Sequence, residues 1–460
     1  MDKPNILYVF ADQLRYSALG FMGNRIVRTP NLDSLAEQGV VFGEAFSSCP
    51  ICSPYRAQFL SGMYAHKNGV MDNEYKLKTT VTTLPVSLKA AGYSTGYVGK
   101  WHLGYGPYPP EKRYGFDYMA AYNLNHNYFQ GSYHENDDGP YQMNGWQPEA
   151  ETSLAIGFME KHVAERGSEP FFLVLSWGPP HHPYDQYPRK YNVYDPAEVD
   201  IPPNIPMEDV FKAKGEIADY YGNVTALDGQ MGRLMESLDK LGVSDNTILC
   251  FTSDHGDHIW SHGYGKCSDL SMPLDMRASK ATPFEESIHI PFTARWPKKI
   301  KPGRRTDALF SSVDVMPSLL RLCGAEIPGS VQGTDLSSLF IGENGPRQDS
   351  VYLQILGEGW PHRGKWVGFW RGVRTKRYLY ARWYENFKGP YLFDIEADPY
   401  EMNNLYDNPE YKGLRDEMET RLKKWLADTA DPFDTGGRDP KTGMLLLGQE
   451  FIDEKWRAAP

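Results

Sequence analysis

Ile6-Leu7-Tyr8-Val9-Phe10 is an unbroken apolar run that ends, two residues on, at Asp12-Gln13. A short apolar run without alternation suits a strand buried on both faces, as in a parallel sheet covered by helices on either side. The polar pair then stands at the carboxyl end of that strand, where open α/β sheets bind their ligands.

The same pattern recurs along the chain. Residues 94–98 read as a strand running into Lys100 and His102, and 171–176 as one running into His181-His182. Residues 247–251 read as a strand running into Asp254-His255. Helical patterns lie between them over 31–39, 84–91, 151–165 and 314–323, each closed by or near a glycine or a polar stop. Residues 211–241 read as mainly helical, in more than one segment. The stretch 104–149 is rich in Tyr, Asn, His, Gly and Pro with no sustained period, and reads as a long structured loop. Strands alternating with helices predict an α/β domain with a mostly parallel sheet. A Gly-rich stretch ending at Pro346 marks a boundary, giving a catalytic domain over 1–345 and a smaller α+β subdomain over 346–460. In the latter, 351–354, 366–370 and 377–382 read as antiparallel strands, and 410–427 as a closing helix.

Composition narrows the function. The 460 residues carry a formal net charge of −11, which argues against a general nucleic-acid binder. Five cysteines, scattered, do not make a disulfide scaffold. No apolar run reaches the ~18 residues of a membrane span. A strand pattern begins by Ile6 with no leader before it, so the chain as written reads as cytoplasmic; a removed signal peptide would make it periplasmic or secreted.

Four polar clusters at four strand ends predict one site. Asp12, Gln13 and Asp254 offer hard oxygen ligands and His255 an imidazole, a set that suits Ca²⁺ or Mg²⁺ better than zinc. Lys100, Arg56 and Lys280 bring positive charge for an anion. His102 and His181 can exchange protons near neutral pH. The segment Cys52-Ser53-Pro54-Tyr55-Arg56 adds a nucleophile position: Pro54 favours a helix start, whose free N–H groups, with Arg56, point at an anion approaching Cys52. Together these parts describe an esterase for a tetrahedral anion, sulfate or phosphate.

Cys52-Ser53-Pro54-Tyr55-Arg56 with Leu60-Ser61-Gly62 resembles the signature of the type I, formylglycine-dependent sulfatases. Gly99-Lys100-Trp101-His102-Leu103-Gly104 is similar to that family's second signature, and Pro180-His181-His182-Pro183, Thr252-Ser253-Asp254-His255-Gly256 and Lys280 fit it in order. The resemblance implies an alkaline phosphatase-like three-layer sandwich. It implies that Cys52 is converted to formylglycine by a maturation enzyme, and that one hydroxyl of its hydrate attacks sulfur. It further implies a metal, calcium in most members with magnesium as the alternative, held by Asp12, Gln13, Asp254, His255 and the modified Cys52. Arg56, Lys100, His102 and Lys280 would steady nucleophile and sulfate, with His181 as acid for the leaving alcohol. Two departures stand out. Asp12-Gln13 replaces the common Asp-Asp and His255 the common Asn, forms also met in choline sulfatases and phosphonate monoester hydrolases. Tyr55 replaces the usual Ser or Ala.

The aromatic and amide content of 104–149 points to a sulfated sugar, a glycosaminoglycan or algal polysaccharide fragment, with Asn125, His126, His182, His362 and Arg371 as candidate contacts. A phosphonate monoester or phosphodiester hydrolase of the same superfamily is the second reading. A non-catalytic binding protein on this scaffold is the third.

Overall fold

The computed structural model describes residues 3–263, 279–356, 369–384 and 389–435. Among them, ten strands form one sheet: β1 (Asn5–Asp12), β2 (Val40–Phe46), β3 (Ser94–Lys100), β4 (Tyr118–Tyr122), β5 (Ser132–Glu135), β6 (Asp138–Gln142), β7 (Phe171–Pro180), β8 (Thr247–Ser253), β9 (Phe292–Arg295) and β10 (Arg304–Ser311). Their spatial order is β10-β2-β9-β8-β1-β7-β3-β4-β5-β6. β1 pairs in parallel with β7 and β8, β3 with β7 and β4, and β10 with β2; β9 and β5 run antiparallel to their neighbours.

Every residue of β1 is buried, and its pleat divides them between two cores. Ile6, Tyr8 and Phe10 pack on one face with residues of the helices Cys52–Ser61, Leu84–Ala90 and Val315–Leu322. Leu7, Val9 and Ala11 pack on the other with Pro30–Glu37, Gln147–Arg166 and Val210–Lys240. The period of 2 in side-chain direction is what lets one apolar strand serve two layers. The result is the three-layer α/β arrangement expected from the sequence.

Two expectations are corrected. Residues 104–149 are not a loop throughout. They supply β4, β5 and β6, which extend the sheet, and β5 and β6 are short and only partly covered, so their alternation is weak in sequence. Residues 211–241 are not several segments: Val210–Lys240 is one helix of 31 residues. Two of its glycines are contact points. A Cβ on Gly222 would lie 2.5 Å from the Tyr187 ring, and one on Gly229 would lie 2.6 Å from the Tyr191 hydroxyl.

A second, antiparallel sheet follows: β11 (Val351–Ile355), β12 (Trp370–Arg374), β13 (Tyr378–Trp383) and β14 (Tyr391–Asp394), in sequence order. The helix Lys412–Thr429 contributes to its core. Hydrogen bonds join it to the first body, among them Gln354 N–H to Ser48 O at 2.8 Å, the Trp370 indole to Ala281 O at 2.9 Å and Arg374 Nε to Glu285 Oε1 at 2.7 Å.

Arg371 belongs to this core. It is fully buried, its guanidinium meets the Asp431 carboxylate at 2.8 Å and 3.2 Å, and it also donates to Ile355 O. That corrects its reading as a substrate contact: an arginine facing inward from a central strand is satisfied by the core around it. His362 lies outside the described residues.

Burial pushes Asp431 up, but Arg371 and His66 outweigh it and hold the carboxyl at about 2. Its stabilising effect is present above the unfolded carboxyl value of about 4 and is lost as pH falls through about 2. Asp431→Ala, leaving Arg371 buried without a partner, should lower the unfolding free energy at pH 7 by ~3–5 kcal/mol in urea titrations followed by circular dichroism.

Candidate active site

The four central strands β8, β1, β7 and β3 all point their carboxyl ends the same way, and the sheet order sets their polar ends side by side. Asp12 is the last residue of β1, and Lys100 the last of β3. Asp254 follows β8 and His181 follows β7. The helix Cys52–Ser61 begins at Cys52 itself, with Ile51 extended before it. Its every residue is buried, so it enters the site from the core side.

The donor atoms of Asp12, Cys52, Asp254 and His255 all lie within 4.8 Å of one another, and all four residues are buried. Cys52 Sγ is 3.2 Å from His255 Nε2, 3.2 Å from Lys280 Nζ and 3.6 Å from Asp12 Oδ1. Lys280 also donates to Gln13 Oε1 at 2.8 Å, and Lys100 Nζ meets Asp12 Oδ2 at 2.6 Å. Thus Asp12, Gln13, Cys52, Lys100, Asp254, His255 and Lys280, separated by up to 268 positions, meet in one pocket of charge.

Local backbone sets these directions. Gln13 has φ 63° and His102 φ 55°, left-handed values that cost energy in residues with a Cβ and recur at functional sites. The turn at Gln13 lets its N–H donate to Asp254 Oδ1 at 2.9 Å, beside a second donation from His255 N–H at 2.9 Å. His255 Nδ1 donates to Gly256 O at 2.9 Å, which leaves the Nε2 lone pair facing Cys52.

The electrostatics favour a bound anion. Burial raises the Asp12 carboxyl, but Lys100, His181, Lys280 and Arg56 hold it well below its ordinary value. Burial and Asp12 push the Cys52 thiol up, yet Lys280, Lys100 and His255 leave it lowered. Burial pushes the Cys49, Cys250 and Cys323 thiols up instead. Burial, with Lys100 and Arg56, holds His102 well below the usual imidazole range, and burial with Lys280 and Lys100 does the same for His181.

This donor set fits a hard dication. Two carboxylates and one imidazole whose tautomer is set by Gly256 gather with Cys52 within 4.8 Å of one another, the Gln13 amide oxygen is linked to them through Lys280, and oxygen-rich sets of this kind suit Ca²⁺ or Mg²⁺.

Arg56 departs from its expected role. Its Nη1 donates to Tyr97 Oη at 3.1 Å, Lys100 O at 2.5 Å and Ser176 Oγ at 2.7 Å; its Nη2 meets Asp12 at 3.0 Å and Asp254 at 3.3 Å. The terminal N–H groups are all occupied, so Arg56 braces the two carboxylates and does not reach toward an incoming anion. Tyr97 and Ser176, which hold that brace, had no distinguishing signal in the sequence. Tyr55 turns away from Cys52 into the core, where its hydroxyl lies 3.0 Å from that of Tyr8.

The outer residues are less uniform. His126 is exposed, and its ring lies 4.6 Å from that of His181. Asn125 donates to Gln147 Oε1 at 2.8 Å and to Asn127 O at 2.9 Å, which shapes the loop carrying His126. His182 is half-buried, with its ring edge-on to Tyr184 at 5.4 Å.

Comparison with known proteins agrees with this geometry. The family described as Sulfatase matches residues 4–325, and the one described as N-sulphoglucosamine sulphohydrolase, C-terminal, matches 278–428. An ulvan-active sulfatase of Formosa agariphila is 36% identical over 94% of this chain and 82% of its own length. An endo-4-O-sulfatase of Bacteroides thetaiotaomicron is 30% identical, covering 94% of each. The solved structure of yidJ from Bacteroides fragilis superposes with a TM-score of 0.82 at 32% identity, over 94% of this chain and 97% of that one. With Cys52, the paired aspartates and the lysines standing where that chemistry needs them, the chain belongs to the sulfatase family and is a sulfuric ester hydrolase.

Proposed function

We propose that this protein removes sulfate from a sulfated carbohydrate, using a formylglycine made from Cys52 by a maturation enzyme. The observation that carries the reading is the placement of Cys52 Sγ, 3.2 Å from both His255 Nε2 and Lys280 Nζ, at the edge of a cation-binding donor set. The relatives named for ulvan and for 4-O-sulfate favour a saccharide ester over the phosphonate or phosphodiester reading.

Asp12, Gln13, Asp254 and His255 would hold a divalent cation, Ca²⁺ with Mg²⁺ as the alternative. Bound there, it would supply Lewis-acid polarisation of the sulfate and lower the proton affinity of the nucleophile at position 52. Lys280, touching both position 52 and Gln13, orients the nucleophile and balances charge on the sulfate oxygens. Lys100 holds Asp12 in its ionised form. His102 contributes an imidazole that burial, Lys100 and Arg56 keep uncharged, suited to hydrogen bonding the nucleophile or the sulfate.

His181 Nδ1 donates to His182 O at 2.8 Å, so its Nε2 is the nitrogen available to the leaving group. Burial, with Lys280 and Lys100, lowers the proton affinity of this imidazole; an anionic sulfate ester would offset the two cations and favour its protonated form. The chain after residue 345 completes the substrate pocket. In support, Trp370 of β12 holds Ala281 O, and so the backbone next to Lys280.

Mass spectrometry of the peptide spanning Cys52, from protein produced with the maturation enzyme, should show a loss of about 18 Da against unmodified cysteine. Full turnover by unconverted protein would overturn the proposed nucleophile. Cys52→Ala should lower kcat/KM on a sulfated disaccharide panel by ~10⁴-fold or more while leaving the thermal transition in place. A wild type that cleaves only phosphonates or phosphodiesters would sink the sulfatase reading.

Chelation should abolish activity, with Ca²⁺ or Mg²⁺ restoring it in the wild type and failing to do so in Asp12→Ala. His181→Ala should cost ~10²–10⁴-fold in kcat on a saccharide sulfate. The loss should be much smaller on 4-nitrophenyl sulfate, whose leaving group needs no proton; equal losses on the two would remove His181 from the acid role.

A further inference from the structure

Beyond the catalytic cluster, the loop that carries His126 also walls a second cavity. It lies past the ends of β4 and β5 and has a volume of about 230 Å³, room for one pyranose ring. Tyr105, Asn123, Gln130, Ser132 and His134 line it. Among the described residues that line it there is no acidic side chain, lysine or arginine. The catalytic cluster, by contrast, is built from lysines, an arginine and carboxylates.

We infer that this cavity is a saccharide subsite that takes an uncharged sugar ring flanking the sulfated one. The inference rests on the saccharide-sulfate reading above and extends it to a substrate of at least two residues.

Four observations carry it. The first is connection. Asn123 O accepts from His102 N–H at 3.1 Å, and its side-chain oxygen accepts from Gly104 N–H at 3.0 Å. The cavity wall is thus continuous with a residue of the catalytic cluster, and the Asn123 amide donor is left for a ligand. Three residues on, His126 packs against His181, the proposed acid for the leaving alcohol, so the loop that walls the cavity also reaches the leaving-group side of the site.

The second is lining chemistry. Amides, a hydroxyl and an imidazole can each donate and accept, which matches the mixed hydroxyls of a neutral sugar. Tyr105 is 65% exposed, so a large aromatic face stands open where an apolar ring face can lie against it.

The third is an unmet group. His134 Nδ1 is buried with no hydrogen-bond partner among the described residues. The ring is fixed edge-on to Tyr108 at 6.2 Å, and a Cβ on Gly106 would lie 2.3 Å from its Cδ2. Only glycine at 106 lets the imidazole sit in this wall. The fourth is rigidity. Asn125 bonds Gln147, Gln147 donates to Glu151 at 2.8 Å, and Asn127 donates to Gln130 Oε1 at 3.1 Å. A loop held this way loses little freedom on binding.

The test compares two substrates from the same panel: the preferred sulfated disaccharide with a neutral flanking ring, and the sulfated monosaccharide it contains. The wild type should favour the disaccharide by ~10-fold or more in kcat/KM. Tyr105→Ala and His134→Ala should each lower kcat/KM on the disaccharide by ~10-fold and leave the monosaccharide sulfate unchanged. Tyr105 is exposed, so that variant keeps the test open if His134→Ala misfolds. Equal losses on both substrates, equal wild-type rates on both, or a preference for a disaccharide whose flanking ring is a uronate would overturn the subsite while leaving the sulfatase intact. A wild type carrying formylglycine that cleaves 4-nitrophenyl sulfate but no saccharide sulfate would overturn the saccharide reading and the subsite together.

Discussion

The Arg56 guanidinium, wedged between Asp12 and Asp254, is the contact on which the site depends. Two buried carboxylates side by side repel each other, and Asp254 is raised by burial and by Asp12. Arg56 meets both, at 3.0 Å and 3.3 Å, and rests on the Phe10 ring at 4.8 Å. Removing such a partner from a buried pair is strongly destabilising because an uncompensated charge remains. The brace therefore does structural and electrostatic work together. It ties β1 to the loop after β8 and offsets the charge of both carboxylates.

Arg56 sits one turn along the helix that begins at Cys52. The same helix thus delivers the nucleophile position at its start and the brace four residues on, on one face. Tyr97 and Ser176 finish the arrangement from β3 and β7, so four neighbouring strands and one helix are tied through a single guanidinium. Lys280 closes the site from the far side. It follows a segment outside the described residues, and Trp370 of the second sheet holds the residue after it. The second sheet thereby anchors the backbone next to Lys280, and its core, with Arg371 and Asp431, is shared with residues of the first body such as Phe46, Ile51 and Tyr64.

Much of this was legible in the chain. The apolar runs at 6–10, 171–176 and 247–251 announced buried parallel strands, and the polar residues after them announced the ligand edge of the sheet. What misled were positions where local pattern and tertiary role differ. β5 and β6 are short strands at the edge of the sheet, so they lack the periodicity of buried ones. Residues 211–241 read as more than one segment, yet Val210–Lys240 is one helix whose glycines at 222 and 229 make room for tyrosines from the preceding segment. Arg371 looked like a sugar contact because cation and aromatic stood together; the core was what gathered them.

The sequence by itself determined the order of strands and helices, the chemistry of Asp12, Cys52, Lys100, His181, Asp254 and Lys280, and the family these residues belong to. Those properties are written in local periodicity and in residue type. Only the tertiary structure decided which charges face which. It turned Arg56 from an anion receptor into a brace, sent Tyr55 into the core and placed Arg371 out of reach of substrate. It also opened a neutral cavity beside His126. Each of these depends on strand register and on contacts between residues dozens to hundreds of positions apart, which no local pattern encodes.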